Sequence, residues 1–261
     1  MKYKKNKYDK TRINSLTRCF NILKCFNSEE TTLRLVDISS KLNISNATIF
    51  RYLATLEDLG FLEKDKKFKG YRLTVKVLEL GYTALKGIGI TDIAQPYLEK
   101  LAHCCKESAS IAVLDGFYIV YVGRSATRRW MSTNLLIGSK LPAYCSSLGM
   151  AILAYKPVEE LEKLFVGHKL IKYTPYTVTD LGDYKRKLEI IKKNGYSINN
   201  QELEIGLLSA AAPIFDAEGE VFSAINISMP SSRVSIAELK KKFIPFLLST
   251  ANELSNALNY K

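Results

Sequence analysis

Two apolar stripes separated by a three-residue break constrain the front of this chain more than any other feature. Leu35, Ile38 and Leu42 fall at i, i+3 and i+7, and Ile49, Tyr52, Leu53 and Leu56 resume a helical period beyond Asn43. Asparagine tolerates the left-handed backbone that a tight turn requires. The spacing predicts a short helix, a turn, and a longer helix starting near Ser45 or Asn46. An earlier helix is expected from Ser15, acting as N-cap, with Leu16, Phe20, Leu23 and Phe26 at helical spacing. After the third helix, Leu59-Gly60-Phe61-Leu62 leads into a strand, Glu63 to Gly70 is a charged turn, and Tyr71-Arg72-Leu73 returns. A two-stranded wing with Lys64, Lys66, Lys67 and Lys69 near its tip is therefore expected.

Charge says what such a unit can touch. The chain carries a formal net charge of +12, and residues 1–86 hold 18 Lys/Arg against 9 Asp/Glu, whereas the remainder holds 20 against 17. The first ten residues have the composition of a solvated basic tail, yet residues 12–86 still hold 13 basic against 8 acidic residues. Concentrated positive charge is what a phosphate-neutralising surface needs, because counterion release supplies much of the free energy of DNA binding. In a helix-turn-helix the second helix enters the major groove. Its candidate DNA-contacting residues are Ser45, Asn46, Ala47, Thr48, Phe50, Arg51 and Thr55, with Lys66, Lys67 and Lys69 of the wing on the phosphates. The same lysines would also suit an ordinary surface hairpin.

The rest of the chain changes texture. Leu73 to Leu85 reads as a helix leaving the wing, interrupted by Gly87 and Gly89, and a further helix spans Thr91 to Cys105 with Pro96 near its start. Ser110–Leu114 and Tyr118–Val122 flank Asp115-Gly116 as a hairpin. Helices are expected over 147–155, 158–166, 181–194 and 236–258, with strands over 209–215 and 221–228. Hairpins far apart in sequence, interleaved with helices, argue an α+β sheet covered by helices. The predicted division is a winged helix-turn-helix domain over 1–73, a linker helix over 74–89 and a larger domain over 90–261.

Leu33 to Phe61, with its Ser-Asn-Ala-Thr entry at residues 45–48, Arg51 and the Thr55-Leu56 to Gly60-Phe61 exit, resembles the DNA-binding segment of the IclR family of bacterial regulators. Arg34 stands where that family tends to place a Ser or Thr cap, and Asn43 where it usually has glycine. The resemblance continues through Gly138–Ala154 and Gly195–Ile214. It implies a GAF-like effector-binding domain, with pocket roles for Ser146, Ser147, Asn199, Glu202, Ser209, Asn226 and Ser228. Asn226 and Ser228 alternate with Ile225 and Ile227, so both polar side chains share one sheet face, which either lines a pocket or meets solvent. Arg128-Arg129-Trp130-Met131-Ser132 followed by Leu141-Pro142-Ala143-Tyr144-Cys145 also looks like the branch that senses aromatic acids, and Arg128 is a candidate partner for a ligand carboxylate.

The expected function is a DNA-binding transcription regulator controlled by a small-molecule effector, an aromatic or other small carboxylic acid, acting as a homodimer or homotetramer. Five cysteines without C-x-x-C spacing read as reduced thiols, and two histidines are too few for most metal or catalytic centres, so no cofactor or metal is implied. No apolar run spans a bilayer, and a cytoplasmic location with no membrane partner is expected. Two rival readings stand beside it. One is an effector-independent DNA-binding protein. The other is a Ser- or Cys-dependent enzyme using Cys145-Ser146-Ser147, which lacks the leading glycine of G-x-S-x-G and has neither His103 nor His168 in an evident motif.

Overall fold

A computed structural model describes residues 13–27, 29–126 and 135–259. The chain forms two compact units that divide between Gly87 and Ile88. In the first unit the helices are α1 (Asn14–Leu23), α2 (Leu35–Leu42) and α3 (Asn46–Asp58), and α4 (Val77–Ile88) leads out of it. Asn43 closes α2 in the left-handed conformation at φ 53°, and the Ser39 hydroxyl donates to the Ile44 carbonyl at 2.5 Å across the turn. Although Arg34 is not the expected small polar cap, the Asp37 carboxylate accepts its backbone N–H at 3.1 Å and pairs with its guanidinium, so the start of α2 is held from within.

The wing has one strand more than the sequence suggested. Strands β2 (Leu62–Asp65) and β3 (Gly70–Leu73) pair as expected, and β1 (Thr32–Leu33) adds to the far edge of β3. Two residues are too short to leave a periodic signal. Gly70 permits this pairing: a Cβ there would stand 2.9 Å from the Leu33 carbonyl oxygen. Ile22, Phe26, Leu33, Ile38, Ile49, Leu53, Leu56, Leu62 and Tyr71 form the core of the unit.

α1 departs from expectation. It starts at Asn14 after Ile13, with no side-chain cap, so Ser15 is not the N-cap. Ile22 is the buried residue of α1, while Leu16 and Phe20 are each 55% exposed. The helix carries apolar side chains on two faces, and one of them joins the core of the unit through Ile22 and meets α2. α4 has no buried residue, and Leu78, Leu80 and Tyr82 are exposed on it.

The second unit is built on six antiparallel strands in the order β6 (Lys140–Pro142), β5 (Tyr118–Ser125), β4 (Ser108–Asp115), β9 (Val221–Pro230), β8 (Leu207–Phe215) and β7 (Ser197–Asn200). Apolar alternation gave no sign of the short strands β6 and β7. One face meets α5 (Thr91–Cys105) and α10 (Ile244–Asn259); the other meets α6 (Ser147–Leu153), with α7 (Val158–Phe165) and α8 (Leu181–Asn194) outside it. The predicted C-terminal helix is broken near its start, where α9 (Ile236–Glu238) passes through a π-helical turn over Leu239–Phe243 before α10. This arrangement of helices on both faces of an antiparallel sheet is GAF-like. Every residue of α6 is buried, and a Cβ on Gly149 would fall 2.1 Å from the Ala143 carbonyl oxygen, so only glycine lets α6 lie against the preceding turn. Among the described residues no helix is long and apolar enough to cross a membrane.

Candidate functional site

The outward side of α3 is open along its length. Ile49, Leu53 and Leu56 fix one face in the core, which turns Asn46, Ala47, Phe50, Arg51 and Thr55 outward, all exposed, with Thr48 half-buried. Ser45 precedes the helix with its hydroxyl 2.9 Å from that of Thr48, and the Thr55 hydroxyl donates to the Arg51 carbonyl at 2.9 Å. Arg51 forms no ion pair among the described residues. The residues predicted to contact DNA on this helix thus share one accessible surface.

The wing tip is preset rather than loose. The Asp65 carboxylate accepts the backbone N–H groups of Lys67 at 2.8 Å and Phe68 at 3.0 Å, and these bonds, with that from Phe68 the larger, hold its carboxyl below the usual range. Lys69 closes the turn in the left-handed region at φ 50°. Lys66, Lys67 and Lys69 are exposed and take part in no ion pair among the described residues. Lys64 differs, because its ammonium donates to Glu57 at 2.8 Å and lies 5.8 Å from the centre of the Tyr71 ring.

In the second unit, strand register decides which side chains meet. Ser209 pairs with Ser228, which pairs with Ser108; Ala211 pairs with Asn226, which pairs with Ser110. Directly opposed residues share a face, and here it is the α6 face, because Ala211, Ala224 and Ala112 belong to the core cluster that contains α6. Asn226 is 4% exposed, so the polar side chains predicted on β9 do not lie open to solvent, although Ser228 is only half-buried. Serine and alanine on neighbouring strands leave little side-chain mass above the sheet.

The other predicted pocket residues converge on the start of α6. The Ser209 hydroxyl donates to that of Ser147 at 2.9 Å, and Ser146 caps α6 by accepting the Gly149 N–H at 3.0 Å. The Asn199 amide donates to the Cys145 carbonyl and accepts the Glu202 N–H at 3.0 Å. Glu202 pairs with Lys187 of α8, yet burial, the dominant effect, still raises its carboxyl above the ordinary value. Beside it, Tyr184 is fully buried, and burial pushes its phenol far up. Neither the Tyr184 hydroxyl nor Glu202 Oε2 has a hydrogen-bond partner among the described residues. Arg128 lies outside the described residues.

Sequence reasoning missed Ser108, Ser110 and above all Arg124. Ile111 pairs with Gly123 but Ala112 pairs with Tyr121, so Val122 is an extra residue that bulges β5 and reverses its alternation. Strict alternation from Ile119 and Tyr121 would send Arg124 to the α5 face. The bulge sends Gly123 there, against Ile111 and Leu98, and sets Arg124 beside Ser110 on the α6 side. Its Nη1 donates to the Leu135 carbonyl at 2.7 Å, while its buried Nε has no partner among the described residues. Burial lowers the guanidinium from its ordinary value, as expected for a cation with no carboxylate beside it.

Comparison with known proteins follows the same division. Residues 15–66 match the IclR helix-turn-helix domain, and residues 82–256 match the family described as bacterial transcriptional regulator IclR C-terminal. A Pca regulon regulatory protein of Pseudomonas putida is 35% identical over 245 residues, 94% of this chain and 84% of the relative. The crystal structure of the Thermotoga maritima IclR has a TM-score of 0.77 at 29% identity, covering 95% of this chain and 100% of that one. A double mutant of the Acinetobacter PobR inducer-binding domain, in complex with 3-hydroxybenzoic acid, gives a TM-score of 0.61 at 30% identity over 64% of this chain and 97% of its own.

Proposed function

Since the chain belongs to the IclR family of bacterial transcriptional regulators, and so binds DNA under the control of a small molecule, we propose that this molecule is a small aromatic carboxylate held by Arg124 and Asn226. Relatives of this chain are regulators, and both matched domains are regulatory, so it is not a Ser- or Cys-dependent enzyme. Burial also pushes the Cys145 thiol up to about 12, which leaves it protonated and a poor nucleophile. The observation that carries the ligand class is the Arg124 guanidinium, which has no counter-ion among the described residues and faces a serine- and alanine-lined stretch of sheet. A carboxylate supplies the missing acceptor. An aromatic body agrees with the hydroxybenzoic acid bound by the PobR domain.

The outward face of α3 reads an operator, with Lys66, Lys67 and Lys69 on the flanking phosphates. Leu16 and Phe20 of α1 and Leu78, Leu80 and Tyr82 of α4 supply the apolar surface by which two protomers pair. Pairing presents two recognition helices to the half-sites of a near-palindrome. The effector controls DNA binding by favouring one of two arrangements of the protomers.

Thermal melting tests the ligand class. At a hundredfold excess over its dissociation constant a ligand stabilises the folded state by about 2.7 kcal/mol, a shift of roughly 5–10 °C for a domain of this size. We expect 3- or 4-hydroxybenzoate to produce it and 4-hydroxybenzamide, the neutral analogue, to produce little. Arg124→Gln should weaken binding of the acid roughly 10- to 100-fold, the weight of a charge-assisted hydrogen bond. Equal shifts with acid and amide, or an unchanged response in Arg124→Gln, would refute the assignment.

A further inference from the structure

The outer stripe of α3 has a composition that a solvated helix face does not explain. Ala47, Phe50, Arg51, Ala54, Thr55 and Asp58 recur at intervals of three and four, and no acid interrupts the first five. Phe50 is 56% exposed and takes no part in the core of its own unit. Ala47, one turn earlier and also exposed, adds a methyl group in place of a bulky side chain, so the helix can approach a surface closely at this point.

Base edges in the major groove display hydrogen-bond donors, acceptors and one apolar group, the C5 methyl of thymine. We propose that Phe50, with Ala47 beside it, is a reader of thymine methyl groups, and that it works next to Arg51 reading guanine. The inference deepens the assignment of α3 as the recognition helix and rests on it. Consecutive residues of a helix advance about 1.5 Å along its axis and about 100° around it, so the two side chains reach base pairs no more than about three steps apart. The half-site therefore holds a methyl-sensitive thymine within about three base pairs of the guanine contacted by Arg51.

Deoxyuridine lacks the methyl group and keeps every hydrogen-bonding edge of thymine, which isolates the contact. The experiment selects a preferred site from random duplex DNA with the full chain, then replaces its thymines one at a time by deoxyuridine. Affinities are measured for the wild type, Phe50→Ala, Phe50→Leu and Arg51→Ala, with melting confirming that each variant is folded. At one thymine of each half-site the replacement should weaken wild-type binding about fourfold, the weight of one methyl group returned to water. Phe50→Ala should lose most of that discrimination, Phe50→Leu should keep part of it, and Arg51→Ala should relax the choice of guanine while leaving the methyl effect. A selected site with no methyl-sensitive thymine, or one equally sensitive in Phe50→Ala, overturns the proposal and leaves the regulator reading intact. Failure to select any sequence, or a selected site indifferent to Arg51→Ala, overturns both. Phe50→Ala protein that binds DNA normally but no longer self-associates would assign the ring to the protomer interface and overturn the proposal by itself.

Discussion

Replacing Lys66, Lys67 and Lys69 together by alanine should change how DNA binding responds to salt more than it changes the preferred sequence. All three are exposed, take part in no ion pair among the described residues, and sit on a turn held in shape by Asp65. Each phosphate contact adds about 0.9 to the slope of log affinity against log salt, so the triple variant should lose about 2.7 per protomer. Between 50 and 200 mM salt, a loss of that slope narrows the gap between wild type and variant about 40-fold for each protomer engaged. Fluorescence anisotropy with a labelled operator, titrated at four or five salt concentrations, measures it directly. Lys64→Ala is the internal control: its ammonium is already held by Glu57 at 2.8 Å, so its removal should change the slope much less. Melting should be unaffected, since none of the three side chains contributes to the core. Parallel salt lines for wild type and triple variant would show that the wing does not touch the duplex, however basic it is.

Gly149→Ala should destabilise the second unit by about 3 kcal/mol, the upper end of the usual overpacking cost, because the new methyl would meet backbone atoms of Ala143 that cannot rotate away; a melting temperature within a degree or two of wild type would contradict the packing around α6. The thiols make a pH-dependent prediction. Burial, the largest cause in each case, pushes Cys105 and Cys145 up to about 12, whereas Cys104 is exposed, so alkylation of the native protein near pH 8 should label Cys104 before either. In the unfolded chain these two thiols ionise near 9, so the folded state binds more protons between about 9 and 12, and their contribution to stability is present below 9 and lost as pH rises through that window. Stability that rose with pH over this range would contradict their burial.

Much of the first unit was legible because its signals are local. The turn at Asn43, the start of α3 and the basic hairpin each depend on a few consecutive residues. α1 was misread in its cap, which Ser15 does not supply, and in its face: with Leu16 and Phe20 on one side and Ile22 on another, periodicity cannot say which side finds a partner within the chain. In the second unit the long helices and hairpins were visible, but β6 and β7 were not. Lys140–Pro142 contains a proline, and Ser197–Asn200 is mostly polar, so neither has the apolar alternation by which a strand announces itself. Both are edge strands, at the two ends of the sheet, held by pairing with β5 and β8 instead of by strong propensity of their own. Arg124 was hidden for a different reason. A bulge is a property of two strands together, and nothing in β5 by itself tells that Val122 will be left unpaired.

The hydrogen-bond inventory of the α6 face divides its polar residues by what each can still do. Ser147, Ser209 and Asn199 are hydrogen-bonded to one another or to the backbone of the Cys145 turn and Glu202, which ties the start of α6 to β7 and β8. Arg124 Nε and Asn226 Oδ1 are buried on the same face without a partner among the described residues, and a group in that condition costs about 1–3 kcal/mol. An acceptor offered to the one and a donor to the other would recover much of that cost, and a small hydroxy acid carries both. A neutral or wholly apolar molecule of the same outline would leave the guanidinium unmatched and gain only its contact area. On the proposed assignment, selectivity for acids rests chiefly on two unmet atoms, one of them brought to the face by a single extra residue in β5. In that assignment Ser147, Ser209 and Asn199 supply the frame around them.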